Sequence, residues 1–376
     1  MKRSLKRIDS YEKIIYFPMK DSNAFIQRGN NMINAGIAGA SGYTGAELVK
    51  LIANHPEADI KIVTSNRYKG KSLSQIYPAM DRFDALYCEA LDIPSFKNKI
   101  DVMFLALPHK VSMSYVPDLV ENKIKVIDLS ADFRFNNVAA YESAYQPHSA
   151  ENLLQESVYG LCEIFRNEIK ESNIIGNPGC YPTSILLPLI PLLKEGLIDS
   201  ENIISDSKSG VSGAGRSLSL ATHFCEVNET FHPYKVGNHR HTPEINEVLS
   251  TFSDKNVSIT FIPHLLPLTR GMLSTIYAST KKGCREDDIQ NVLNDYYNYE
   301  PFVRILKKNT YPSISYVKGT NRCDIGFHFD EDQQRIIIVS VIDNLLKGAA
   351  GQALQNMNLQ FNLPETMGLN FKQGPL

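Results

Sequence analysis

No apolar run in this 376-residue chain approaches the roughly 20 residues that cross a bilayer, which excludes a membrane-spanning helix. A charge excess is missing too. Lys and Arg number 39 against 41 Asp and Glu, a net of −2, so there is no general basic field for nucleic acid. Cysteine is sparse and scattered, at 88, 162, 180, 225, 284 and 323. There is no CxxC pair and no His/Cys cluster at zinc-ligand spacing, so no metal is expected. Scattered cysteines read as reduced thiols of a cytoplasmic protein, most of them buried small residues. The N-terminus lacks the apolar core of a secretory signal, and Asp9, Glu12 and Asp21 count against an organelle presequence. Residues 1–31 are expected to form a disordered extension, or to lie upstream of a start at Met32.

What is present points to two globular domains. At roughly 150 residues per domain the length suggests two, and 43% hydrophobic with 21% charged residues supports a proper core. From Met32 the text becomes regular. "MINAGIAG" reads as a strand and "ASGYTGAELVKLIANHP" as a helix stopped by Pro56. Between them lies Gly39-x-x-Gly42-x-x-Gly45, a variant of the dinucleotide-binding glycine turn. The backbone from Ser41 through Tyr43, Thr44 and Gly45 is placed to meet a pyrophosphate at the helix N-terminus. The next strand, "DIKIVTS", would end in a carboxylate in many NAD-binding proteins. Here it runs into Ser65, Arg67, Lys69 and Lys71, groups suited to the extra 2′-phosphate of NADP. "IDVMFLALPH" and "IKVIDLSADFR", joined by a helical stretch, continue a β-α-β alternation. The fold class expected is a Rossmann-type, doubly wound parallel sheet plus an α+β domain. Strand-end residues Pro108, His109, Ser130 and Asp132 fall near the expected ligand site.

"SNIIGNPGCYPTSILLPLIPLLKEG" reads as a last strand, a turn at 177–179, and a helix ending at Gly196. Cys180 then stands at a helix start, where free N–H groups favour thiolate over thiol. Pro188 and Pro191 predict a bent or broken helix. A thiolate needs a base, and "VGNHRHTPEINEVL" offers His239 and His241 beside a helix start, with Thr242 as its cap. "SDSKSGVSGAGRSLSLATHFCEVNE" is too rich in serine and glycine for a helix or central strand and predicts a flexible loop. Its Arg216, and Arg270 of "LLPLTRGM", are the candidates to grip an anionic substrate. Runs such as "VSITFIPHLL", "GMLSTIYAST" and "QQRIIIVSVIDN" predict an antiparallel or mixed sheet, and the small-residue helix after Asp343 is expected to return to the first domain.

Six motifs in order, "GASGYTGAELV", "GNPGCYPTS", "SGVSGAGR", "HRHTPEI", "PHLLPLTRGM" and "DNLLKGAAGQALQNMN", resemble the N-acetyl-gamma-glutamyl-phosphate reductase family, within the semialdehyde dehydrogenases. The resemblance implies NADPH-dependent reduction of an acyl phosphate, N-acetyl-glutamyl 5-phosphate, to a semialdehyde through a cysteine thioester, in arginine biosynthesis. It maps the catalytic cysteine onto Cys180 and the histidine onto His241, with His239 as the alternative. It also places Asn344 with the cofactor. Residues 32–178 with 346–376 are expected to bind NADP, and residues 179–345 to carry catalysis, substrate binding and contacts in a homo-oligomer, a dimer or tetramer. Two rivals share the motifs: a reductase of the longer N-acetyl-aminoadipyl phosphate, and a non-catalytic NADP-sensing regulator.

Overall fold

The computed structural model describes residues 32–369, and the extension expected over 1–31 lies outside them. The first unit is one sheet of seven parallel strands: β1 (Ile33–Ala38), β2 (Ala58–Thr64), β3 (Cys88–Glu89), β4 (Val102–Leu105), β5 (Lys125–Asp128), β6 (Ser157–Tyr159) and β7 (Ile174–Gly176). Their order is β3-β2-β1-β4-β5-β7-β6. β4 is apolar throughout because both of its faces are covered; all four of its residues are buried. β3 and β6, two and three residues long, are too short to show a period in the text. The order reverses between β1 and β4, so the carboxyl ends there flank a crevice where ligands bind.

The second unit is a mixed sheet: β8 (Ile204–Gly210), β9 (His232–Pro233), β10 (Thr260–Leu266), β11 (Met272–Ser279), β12 (Val303–Ile305), β13 (Cys323–Asp330) and β14 (Arg335–Ile342), in the order β12-β13-β14-β11-β8-β10-β9. β8 corrects the expected loop: "SDSKSG" is a strand between β11 and β10, antiparallel to one and parallel to the other. Its alternating serines explain the misreading. Ser205, Ser207 and Ser209 are buried on one face. Ser207 Oγ lies 2.7 Å from Ser274 Oγ, which lies 2.8 Å from Ser184 Oγ on the facing helix. A hydroxyl chain, paired link by link, does there what apolar contacts do elsewhere.

That facing helix, Cys180–Lys194, runs through Pro188 and Pro191 without a break, against expectation. Every side chain from Tyr181 to Leu193 is buried, in one core with strands of the second sheet. Pro191 leaves the Leu187 carbonyl without its helical donor, and the Tyr297 hydroxyl donates to that carbonyl. Packing on all sides and an outside donor together hold the helix in one piece.

The chain then returns. A turn at Leu346–Ala350 leads into the helix Gly351–Gln360, whose Ala353, Leu354 and Met357 share a core with Ile37, Leu48 and Ile52. Its buried amides reach partners outside the helix; Gln352 Nε2 and Asn356 Nδ2 both donate to the Gly160 carbonyl. Among the described residues no helix is long and apolar enough to cross a membrane.

Tyr297→Phe should strand the Leu187 carbonyl and lower stability by about 1–3 kcal/mol, read as a lower urea midpoint. An unchanged midpoint would show that the carbonyl has another donor.

Candidate active site

A cleft of about 1260 Å³ separates the two units. At one end lie Gly39 and residues 41–45; at the other, Cys180, His239 and His241. Gly39 holds φ at +78°, and a Cβ there would stand 2.3 Å from the Ala106 carbonyl oxygen, so the turn between β1 and the helix Tyr43–Ala53 admits only glycine. Gly42 caps that helix without a side chain, leaving its first amides for a ligand. Ser65, buried at the end of β2, places its Oγ 2.8 Å from Ser41 Oγ, and Arg67 beside it is exposed on the cleft wall. Glycine turn, uncapped helix start and absent carboxylate fit a dinucleotide with its phosphates.

The two arginines read as substrate ligands lie elsewhere. Arg216 lines the nucleotide end, its Nη1 donating to the Ser41 carbonyl at 2.9 Å. Arg270 does not line the cleft. Its Nε bonds Asp343 (2.6 Å) and its Nη1 bonds Glu47 (3.2 Å), so it ties the second sheet to the nucleotide helix. Asn344 lines the cleft, but its side chain is engaged: Oδ1 accepts from Gly271 N–H (2.7 Å) and Nδ2 donates to Ser212 Oγ (3.0 Å).

At the other end the structure gathers the sulfur and both histidines. Cys180, partly exposed, opens its helix. Two glycines let neighbours close on it: a Cβ on Gly348 would lie 2.6 Å from Cys180 Cβ, and one on Gly179 would lie 2.7 Å from His241 Nε2. The helix carrying the histidines starts at His241, with Arg240 rather than Thr242 as its cap. His239 Nδ1 accepts the backbone N–H of His241 (3.1 Å), which leaves the proton of the neutral ring on Nε2. His241 Nδ1 is buried without a partner, while Nε2 faces the turn before the cysteine.

Burial sets the electrostatics. It pushes the Cys180 thiol up to about 11, against the opposing pull of the Tyr181 N–H and Arg134. It also pulls His241 well below the ordinary histidine value, helped by His239 and Arg134, and His239 down to about 3 with help from Arg240. Both shifts favour thiol over thiolate and neutral imidazole over imidazolium in the free cleft, opposing the thiolate that the helix start favours. Desolvation outweighs the partial charge of the helix here.

Beneath the pair lies a buried ion pair that the sequence reading missed. Arg134 Nη1 bonds Glu244 Oε2 at 3.1 Å, and Glu244 Oε1 accepts from Gly179 N–H (3.0 Å) and the Tyr159 hydroxyl (2.8 Å). Arg134 also donates to the carbonyls of Asn177 and Leu129. A glutamate three residues after a histidine, in a helix's first turn, was the available sign. Lys235 and Arg240, both exposed and without a carboxylate partner among the described residues, add cations to the cleft wall near the histidines. Pro108 and His109 line the cleft, His109 accepting Ala131 N–H and pulled down to about 2 by burial and Arg240. Ser130 and Asp132 stay in the interior, where Asp132 receives Lys110 N–H and the Tyr141 hydroxyl.

Known proteins resemble this chain in sequence and in fold. The semialdehyde dehydrogenase NAD binding domain family matches residues 34–172, and the semialdehyde dehydrogenase dimerisation domain family matches residues 180–344. Aspartate semialdehyde dehydrogenase II from Vibrio cholerae is 17% identical with a TM-score of 0.68, covering 88% of this chain and 99% of its own. The enzyme from Candida albicans, solved with NADP, is 16% identical with a TM-score of 0.64, covering 87% and 98%. These two share the fold. N-acetyl-gamma-glutamyl-phosphate reductase from Desulfotalea psychrophila is 49% identical over 90% of this chain and 98% of its own. The enzyme of that name from Desulforapulum autotrophicum is 60% identical over 92% of this chain and its own full length. With the glycine turn, the placed cysteine and the histidine pair in one cleft, the chain belongs to the N-acetyl-gamma-glutamyl-phosphate reductase family.

Proposed function

We propose that this chain reduces N-acetyl-L-glutamyl 5-phosphate to N-acetyl-L-glutamate 5-semialdehyde with NADPH, releasing phosphate, as a cytoplasmic step of arginine biosynthesis. The observation that carries the reading is Cys180 at a helix start, between Gly348 and the His241 side of the turn, in a cleft continuous with the glycine loop. Cys180 Sγ attacks the acyl carbonyl as His241 Nε2 takes the thiol proton; the carbon–oxygen bond to phosphate breaks and a thioester remains. A nicotinamide cofactor, when bound, supplies the hydride that reduces the thioester. His241 then returns its proton to the oxyanion on the sulfur-bound carbon, takes it back as the aldehyde leaves, and passes it to the departing sulfur so that the thiol reforms. Lys235 and Arg240 offer charge to the phosphate and carboxylate of the substrate. Ser65 and Arg67, with no carboxylate beside them at the end of β2, support NADP over NAD. Residues 180–344, matched by a dimerisation domain family, are proposed to assemble a homo-dimer or tetramer.

Cys180→Ser should lower turnover by more than about 10³-fold while NADP still binds; substantial residual turnover would rule out the covalent route. His241→Asn should lower kcat by about 10²- to 10⁴-fold, and His239→Asn, whose ring is turned to the backbone, should cost less. The reverse ranking would transfer the base to His239. With the thiol held near 11, thiolate in the ligand-free enzyme grows with pH. Iodoacetamide inactivation should accelerate about tenfold per pH unit from about pH 7 to 9, and a rate already flat at pH 7 would refute the protonated resting state.

A further inference from the structure

Positive charge gathers beyond the end of β2. Three cations surround the Tyr68 ring. The guanidinium carbons of Arg67 and Arg216 lie 5.4 and 5.6 Å from its centroid, and Lys71 Nζ lies 5.9 Å from it. Among the described residues none of the three is ion-paired with a carboxylate, whereas Arg134, Arg166 and Arg270 each have one. Ser65 belongs to the same spot, because its Oγ accepts the Tyr68 N–H at 3.3 Å.

Arg216 is the unusual member, because it comes from the other unit. It follows β8 and the turn Val211–Ala214, whose Ser212 is held by Asn344. From there it crosses the cleft. Its guanidinium lies 4.4 Å from the Tyr77 ring centroid, and Nη1 shares the Ser41 carbonyl with the Tyr77 hydroxyl, at 2.9 and 2.7 Å. Stacking and one hydrogen bond fix the plane of the group, and its other N–H donors remain for a ligand.

The geometry points to Arg216 as a specificity-determining residue for the cofactor: a guanidinium from the second unit that joins Ser65 and Arg67 in taking the 2′-phosphate of NADP. The inference rests on the NADP reading above and deepens it. A dianion is the ligand that three unpaired cations and a serine hydroxyl suit, and a bidentate guanidinium is its strongest neutral-pH partner. A plain latch on the glycine loop would explain the Ser41 contact alone. It would not discriminate between cofactors, since both carry the same pyrophosphate.

Calorimetric titration of the full-length protein with NADP⁺, NAD⁺ and 2′,5′-ADP separates these cases without any turnover. The wild type should prefer NADP⁺. Arg216→Ala should weaken NADP⁺ and 2′,5′-ADP by about 10- to 100-fold and NAD⁺ by clearly less, and Arg216→Lys should recover part of the loss. Comparable weakening of NADP⁺ and NAD⁺, or none, in a variant with an unchanged melting temperature overturns the role of Arg216 and leaves the NADP reading standing. If Arg216→Ala does not fold, the same comparison is read on Arg216→Lys, where an unchanged NADP⁺ to NAD⁺ ratio overturns it. A wild type that binds NADP⁺ and NAD⁺ equally removes the NADP reading itself, and this inference with it.

Discussion

The pairing of Arg134 with Glu244 is the contact on which the site depends. Both side chains are almost entirely withdrawn from water, at 4% and 0% exposure, so each would be severely destabilising without the other. They also come from different units: Arg134 follows β5 of the parallel sheet, and Glu244 stands in the helix that begins at His241. Each also bonds the backbone just before the cysteine, Glu244 at the Gly179 N–H and Arg134 at the Asn177 carbonyl. The turn before Cys180 is thus clamped at two adjacent peptides by two opposite charges. A hydrophobic pair of equal volume would match the stability but could not address N–H and carbonyl groups separately. Its value here is positional.

Around that clamp the packing is unusually polar for an interior. The cysteine helix buries thirteen consecutive residues, yet it meets the second sheet through the hydroxyls of Ser184, Ser207 and Ser274. The returning C-terminal helix is buried throughout, with glutamines and asparagines among its buried residues. In both places the polar side chains bond to other elements, so the contacts favour one relative placement. That is what a site assembled from two sheets and a returning helix requires, since a shift along any one element would break several bonds at once.

This also explains which parts were legible in the sequence. The parallel half announces itself through apolar runs and a glycine turn, because burial on both faces leaves no other composition. Cys180 was legible from its turn, and the histidines from their neighbourhood of a helix start. The serine-rich strand β8 was not, because its pattern is period-two in hydroxyls rather than in apolar side chains, and hydrophobic periodicity cannot register it. Nor was the continuity of the 180–194 helix, which depends on a hydroxyl from Tyr297, over a hundred residues away. The arginines were misplaced for a similar reason. A guanidinium reaches far from its backbone, and Arg216 and Arg270, both on loops of the second unit, end against Ser41 and Glu47 of the first. Arg134 and Glu244 could be recognised only as a pair, 110 positions apart.

The same burial that organises the site shapes its proposed chemistry. Desolvation raises the thiol and lowers the imidazole together, so a thiolate–imidazolium pair is disfavoured on both sides in the free cleft. Arg134 cannot tip the balance by itself, since its charge is already met by Glu244. Of the cations near the histidines, Arg240 favours a Cys180 thiolate and opposes a protonated His241, and Lys235 and Arg240 both oppose a protonated His239. An anionic acyl phosphate bound against those cations would cancel that opposition. It would let His241 accept the proton at the moment an electrophile stands beside the sulfur. On the proposed route such a nucleophile would stay protonated, and so less open to oxidation and stray alkylation, until an anionic substrate offset the cations that oppose a protonated His241.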